Sequence, residues 1–192
     1  MAKSDINSFW EWFARNEAEL NALDPDAVVE RVQDEIQRID DGVGVEVGAR
    51  GQPKELVVTA YGQQELFPLV RQIVEGAPAL AWTVRALKPP GGFDFQFRRG
   101  SLALDVSALP FEPLESDADP ALFGVQVFVP TGQVPEEEWP DIVSLILASG
   151  LGEERFAAID HVAYDDLANA PENPLRLGEL EQFIEWRNGK RR

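Results

Sequence analysis

Cysteine is absent from this 192-residue chain, and histidine occurs once, as His161. The absence of thiols excludes disulfides, thiolate nucleophiles and cysteine-based zinc or iron–sulfur sites. A metal site built from one histidine and scattered acidic residues would be unspecific. We therefore predict no metal site and no cofactor, and any histidine-dependent mechanism has to use His161.

Long apolar runs are also absent. The longest, Ile142 to Ala148, contains Ser144 and is far shorter than the roughly 20 residues that a membrane-spanning helix needs. The N-terminal segment has Asp5, Asn7 and Glu11 where a signal peptide would have its apolar core. We expect a cytoplasmic protein that does not enter a membrane.

Basic residues are scarce. The chain has 17 Lys and Arg against 34 Asp and Glu, a formal net charge of −17, and a pI near 4.3. Such a surface repels phosphate backbones and anionic membranes, so we predict no nucleic-acid partner. The same charge favours a basic protein partner. The content of 44% hydrophobic and 27% charged residues is otherwise typical of a globular protein.

Two segments have the order strand, helix, strand. In the first, β-prone residues from Leu56 to Tyr61 precede helix-spaced apolar residues from Leu66 to Val74, and Trp82 to Leu87 is apolar again. The second segment runs from Phe123 to Tyr164. A helix between two strands has to fold back over them, so each segment predicts a sheet with one covered face.

These patterns predict an α+β fold, in which helices cover a twisted, mainly antiparallel sheet, as a single domain over residues 1–192. Because the strand–helix–strand order recurs, a duplicated arrangement is an alternative, with halves 1–108 and 109–192 sharing one sheet. Residue identity between the halves is poor, which weakens this alternative.

Turn and helix-end signals divide the rest of the chain. Val43, Val45 and Val47 alternate with polar or small residues, and the turn at 51–53 predicts a hairpin with the strand that follows. The segment 109–120 is rich in proline and acidic residues and predicts a loop with room for one edge strand. Glycines at 150 and 152 predict the end of the preceding helix.

The N-terminal segment predicts a helix rich in aromatic residues. Ser8 and Glu11 have capping-box spacing, although Asp5 is an alternative helix start one turn earlier. Phe9, Trp10 and Phe13 fall on one face, which favours docking of the helix onto the sheet. The alternative is a binding patch for a ligand or partner that uses Trp10 and Trp12, and Trp12 lies off the main apolar face.

Arg98 and Arg99 are adjacent in a predicted strand-to-strand turn. A pair of guanidinium groups is typical of anion-binding sites. On a hairpin tip of so acidic a chain, a solvated turn is the favoured interpretation.

His161 is the candidate centre of any catalytic site. It lies beside Asp160 and follows Glu153 and Glu154 by a few residues, so one carboxylate could orient the imidazole as a general base for a Ser or Thr nucleophile. No Gly-x-Ser-x-Gly pattern supports this interpretation, and no glycine-rich phosphate loop is present. A strand histidine with an ordinary hydrogen bond is favoured.

Several short motifs in the first half resemble a bacterial family of domains of unknown function. They are FWEWFARNE from Phe9 to Glu17, ELVVTAYG from Glu55 to Gly62, ELFP from Glu65 to Pro68, and Ala77-Pro78 followed by Trp82 and Lys88-Pro89-Pro90. The resemblance extends weakly to Leu151-Gly152-Glu153. It implies no activity, cofactor or site residue.

Two functions from different classes follow as expectations. The first is a non-enzymatic binding module whose acidic surface meets a basic protein partner. The alternative is a hydrolase-like enzyme that uses His161 with nearby carboxylates.

Overall fold

The computed structural model describes residues 2–48, 54–116 and 118–190. The chain divides into two compact units, Met1–Lys88 and Pro89–Arg192. This boundary lies earlier in the chain than the 108/109 junction of the two-half alternative. Whether the chain forms a single domain stays a prediction.

The first unit has a three-stranded sheet in the order β1-β2-β3. Its described elements are α1 (Ala2–Ala22), α2 (Pro25–Ile36), β1 (Gly44–Val47), β2 (Glu55–Thr59), α3 (Phe67–Glu75) and β3 (Thr83–Ala86). The β1 and β2 strands pair antiparallel, as the predicted hairpin requires. The predicted turn at 51–53 lies outside the described residues. The β2 and β3 strands pair in parallel with α3 between them, which confirms the strand–helix–strand prediction.

The start of α1 differs from the predicted capping box. The helix begins at Ala2, and the Ser8 hydroxyl donates to the carbonyl oxygen of Ser4 at 3.0 Å. This bond spans one helical turn inside the helix, so Ser8 does not cap its N-terminus. The spacing of Ser8 and Glu11 therefore occurs in the helix interior and marks no boundary.

The α2 helix starts at Asp24-Pro25-Asp26, a sequence that is typical of helix N-termini. The Asp24 side chain accepts a hydrogen bond from the Ala27 N–H, and Pro25 occupies the first turn. The buried stripe consists of Val28, Val32 and Ile36. The helix ends at Ile36, before the acidic pair at 40–41.

The second unit has a two-stranded sheet and a four-stranded sheet. Its described elements are β4 (Gln96–Arg99), β5 (Leu102–Asp105), β6 (Pro110–Glu115), β7 (Phe123–Val129), α4 (Trp139–Phe156), β8 (His161–Asp166), β9 (Leu175–Arg176) and α5 (Leu180–Lys190). The four-stranded sheet has the order β8-β7-β6-β9, which leaves β8 at one edge. The β7 and β8 strands pair in parallel, with Val125 opposite Val162 and Val127 opposite Tyr164.

The structure corrects the predicted loop at 109–120. Residues 110–115 form β6, an interior strand that contacts β7 on one side and β9 on the other. A proline cannot donate to a sheet ladder, which is why the sequence predicted a loop or an edge. The two-residue β9 pairs only with Pro110 and Phe111. Pro113 lies beyond the end of β9, so its missing N–H leaves no β9 carbonyl without a donor.

The predicted helix end near Gly150 and Gly152 is present as a break in α4. Gly152 has φ 74° and ψ 168°, which is not helical, so a first helical segment ends there and a second continues to Phe156. A residue with a side chain rarely adopts this conformation, so glycine permits the break. Trp139, Ile142, Val143 and Ile146 are buried, and their helical spacing places them on one face of α4.

The predicted fold class is confirmed as α+β. Four of the six strand pairings in the described residues are antiparallel, and helices accompany both larger sheets. The alternative with one shared sheet differs from the structure. The strands β1 to β3 and β6 to β9 belong to separate sheets among the described residues, because hydrogen-bond partners across sheets depend on packing that no local pattern encodes.

Candidate functional site

His161 begins the edge strand β8, and its side chain is exposed. It borders two clefts on the second unit. One, of about 260 Å³, lies between the start of α4 and β8. The other, of about 290 Å³, includes Asp160 and the neighbouring ends of β6 and β7. The histidine is therefore open to a ligand rather than enclosed in a core.

The carboxylate of Asp160 is used in the backbone architecture. Its Oδ2 accepts a hydrogen bond from the Phe123 N–H at 2.8 Å, and the Asp160 N–H donates to the Phe123 carbonyl oxygen at 2.8 Å. The two bonds tie the start of β8 to the start of β7. Asp160 thus has a structural task that does not involve the imidazole.

Glu153 and Glu154 lie on α4 just after its kink and differ in environment. Glu153 is buried, with 4% of its surface exposed, whereas Glu154 is exposed. Within the described part of the chain, neither they nor Asp160 forms an ion pair or hydrogen bond with the His161 side chain. The structure therefore does not bring the four predicted catalytic residues together.

A hydroxyl group does share a cleft with His161. Ser144 of α4 lines the same 260 Å³ cleft. No hydrogen bond joins its hydroxyl to the imidazole among the residues that the structure describes. A nucleophile and base need a heavy-atom distance near hydrogen-bond reach, so the pair does not form a preorganised catalytic unit.

The two tryptophans predicted for binding have different positions. Trp10 is buried with 2% exposure, and its indole N–H donates to the Ile73 carbonyl oxygen at 2.7 Å. Trp12 is half-buried and lines a cleft of about 260 Å³ with Phe9, Arg15 and Arg38. Trp10 is thus a packing residue, and only Trp12 is open to a ligand.

Arg98 and Arg99 end β4 at a hairpin turn, as predicted. Both are exposed. The Arg99 guanidinium Nε lies 3.0 Å from the Glu138 carboxylate Oε2 in an ion pair. This neutralising contact and the open surroundings favour the solvated turn over an anion site.

Negative charge is concentrated in the second unit. Residues 89–192 include 19 acidic and eight basic side chains, whereas residues 1–88 include 15 and nine. Six carboxylates lie on or next to the segments that border the groove between α4 and β8. We call them the acidic rim: Glu136, Glu137, Asp141, Asp160, Asp165 and Asp166. None of the six forms an ion pair with a basic residue in the described ranges.

The two sides of the acidic rim are joined by local hydrogen bonds. The Tyr164 hydroxyl on β8 donates to the Glu136 carbonyl oxygen at 3.2 Å, which connects the strand to the turn before α4. The Asp165 carboxylate accepts from the Asp166 N–H at 2.7 Å and the Asn169 side chain at 2.8 Å. These bonds hold the carboxylates in place without neutralising them, since all the donors are uncharged.

Sequence reasoning missed this juxtaposition. Both acidic stretches are visible in the sequence, but they lie about one helix apart along the chain. The parallel pairing of β7 and β8 and the return of α4 bring them to one groove. The only usable signal was the repeated strand–helix–strand order, which predicts that the helix start and the second strand are neighbours.

The described residues contain neither a metal-binding cluster nor a membrane-spanning helix. Across residues 2–48, 54–116 and 118–190, no three acidic or histidine side chains are grouped closely enough to hold a metal ion. No helix within those residues is both long and apolar enough to cross a bilayer. That the protein uses no metal stays a prediction.

Comparison with known proteins adds no relative. No family model, no curated protein and no solved structure matches the chain. The resemblance to a bacterial family of unknown function therefore stays a prediction.

Proposed function

We propose that the protein is a non-enzymatic binding module whose second unit binds a basic protein partner. The observation that supports this proposal is the acidic rim, six carboxylates on the segments that border one groove, with no ion pair among the described residues. Unpaired charges of one sign raise the local concentration of an oppositely charged partner and speed its association.

The net negative charge of the protein would attract any basic molecule. The test therefore has to separate the effect of the acidic rim from the effect of the net charge. The variant Glu136→Lys/Glu137→Lys/Asp141→Lys reverses three exposed charges of the acidic rim. The control Glu11→Lys/Glu30→Lys/Asp34→Lys reverses three charges in the first unit, outside the acidic rim. Both variants change the net charge equally.

The measurement is retention of basic proteins from native cell lysate on immobilised protein at low and high salt. We expect a defined basic protein to bind at low ionic strength and to be released at about 1 M salt, where the Debye length is about 3 Å. The rim variant should lose this binding and the first-unit variant should keep it. Equal loss in both variants, or no retained basic protein, would overturn the proposal.

The hydrolase hypothesis stays a prediction with a direct test. Purified protein is assayed against ester, amide and phosphate ester substrates, and any activity is compared with that of His161→Ala. Since His161 is exposed, this substitution should leave the fold intact. Hydrolysis that disappears in the variant would favour the enzyme over the binding module. The cytoplasmic location also stays a prediction.

A further inference from the structure

The β8 strand is open on its outer side. It pairs with β7 on one side only, and no other described strand lies beyond it in the order β8-β7-β6-β9. An edge strand presents a row of N–H and C=O groups that can pair with an additional strand. The strand runs for six residues, from His161 to Asp166, of which the Asp166 N–H already donates to the Asp165 carboxylate.

Two common devices that block an edge strand, proline and lysine, are missing from β8. Its sequence, HVAYDD, contains no proline and no lysine, and these residues commonly prevent edge-to-edge association. The charged residues that it does contain are Asp165 and Asp166. Carboxylates on an edge repel an identical acidic strand, which disfavours a second copy of this chain, but they attract a basic one.

A groove runs beside this edge. Pro140, Val143 and Ser144 of α4 form one wall, and β8 forms the other. The volume of about 260 Å³ has space for side-chain stems rather than for a folded element. Long Lys and Arg side chains bury their methylene stems against apolar walls while their charged ends remain in water.

The acidic rim lies on the segments that border the groove. Asp160 precedes β8, whereas Asp165 and Asp166 end it. Glu137 and Asp141 lie three positions before Pro140 and Ser144, which line the groove, and residues so spaced are neighbours on a helical surface. A strand that adds to β8 would therefore have carboxylates near both of its ends.

Resting on the proposed function, we propose that the open edge of β8 and its groove accept an extended, Lys/Arg-rich segment of the basic partner as an additional strand. Main-chain hydrogen bonds to β8 would give affinity, and alternate basic side chains would reach the acidic rim. A folded basic partner would contact the acidic rim through its charged surface but would not pair with the edge of β8.

The first test separates backbone pairing from charge. The probe is a fluorescent ten-residue peptide of alternating lysine and threonine, and the comparison peptide has the same sequence with alternate backbone amides N-methylated. Both carry the same charge, but the second cannot pair along one edge. We expect at least tenfold weaker binding of the methylated peptide in fluorescence anisotropy at low salt.

The second test uses two arginine substitutions on α4. Ser144→Arg places a guanidinium in the groove, whereas Leu145→Arg places it at the next helix position, where Leu145 is 50% exposed. Both change the net charge by the same amount. We expect Ser144→Arg to weaken binding of the unmethylated peptide at least tenfold relative to Leu145→Arg.

The outcomes distinguish the two proposals. If both peptides bind equally and both arginine variants behave alike, strand addition is overturned while the charge-based binding function stands. If the wild-type protein binds neither peptide and retains no basic protein, the proposed function fails and strand addition fails with it. A strong difference in both tests supports strand addition.

Discussion

Trp10 on α1 donates its indole N–H to the carbonyl oxygen of Ile73 on α3 at 2.7 Å. The two residues are 63 positions apart in the chain, and the bond is buried. The same face of α1 places Phe13 edge-on against Trp82, with ring centroids 5.5 Å apart. The aromatic helix is therefore a structural part of the first unit that packs against α3 and Trp82, which confirms that its aromatic face is buried.

Truncation of the docked aromatic residues should destabilise the protein strongly. Phe13 is fully buried, and Phe13→Ala should cost about 3–5 kcal/mol in the free energy of unfolding. Trp10→Phe keeps a ring but removes the hydrogen bond to Ile73, so we expect a loss of about 1–3 kcal/mol. Urea unfolding followed by circular dichroism measures both values.

Trp12→Ala is the matched control for these variants, because Trp12 is only half-buried on the same helix. Its loss should be clearly smaller than that of Phe13→Ala. Equal losses at Trp12 and Phe13 would contradict the docking of α1 through one aromatic face.

A methyl group at Gly150 should be costly. A Cβ added at this position in α4 would collide with the ring of Phe93, which is buried. Because a buried ring has little free space to move into, Gly150→Ala should destabilise by about 1–3 kcal/mol despite the better helix propensity of alanine. Thermal unfolding monitored by calorimetry gives the change.

Gly189 near the end of α5, unlike Gly150, has space for a methyl group. A Cβ there meets no atom within 4 Å, so Gly189→Ala should stabilise by at most about 1 kcal/mol through helix propensity. Stabilisation by Gly150→Ala of similar size would show that the contact with Phe93 is not tight.

Asp160 should contribute to stability more than to any reaction. Asp160→Ala removes the acceptor for the Phe123 N–H, and the loss of a hydrogen bond to a charged group costs about 1–3 kcal/mol. Asp160→Asn keeps a side-chain oxygen and should recover most of this loss. Urea unfolding of both variants, with the exposed Asp141→Asn as control, measures the contribution. Identical stability of all three variants would argue against the tie between β7 and β8.

Glu19 and Arg31 form an ion pair between α1 and α2, with Arg31 Nη2 donating to Glu19 Oε2 at 3.1 Å. The hydrogen bond from Arg31, and then its positive charge, lowers the pKa of Glu19. Arg31→Met should therefore raise the pKa of Glu19 toward its ordinary value. Carboxyl-detected NMR titration measures the shift. Arg38→Met, which removes the partner of Glu35 instead, should leave the pKa of Glu19 unchanged.

The sign of the pH dependence follows from this shift. Because the folded-state pKa of Glu19 lies below its unfolded value, the ion pair stabilises the fold at pH values above the unfolded pKa. Its contribution disappears as the pH falls through the folded-state pKa. Wild-type protein and Glu19→Gln should therefore converge in stability at acidic pH, although the exposed position keeps the effect small.

Patterns of a few residues predicted the parts of this protein that depend on local interactions. The Asp24-Pro25 helix start and the apolar face of α4 both follow from capping chemistry and side-chain periodicity, which act within a few residues. For the same reason the burial of Phe9, Trp10 and Phe13 was predictable, since three large rings on one helical face favour a packed environment.

Tertiary packing determined the features that were predicted wrongly or were not predicted from the sequence. Pro113 lies in an interior strand only because the neighbouring β9 is too short to need its N–H. The break of α4 at Gly152 was predicted, whereas the second helical segment that extends to Phe156 was not. The acidic rim exists because a parallel pairing returns β8 to the start of α4, and contacts between residues so distant in sequence depend on the whole fold rather than on any local preference.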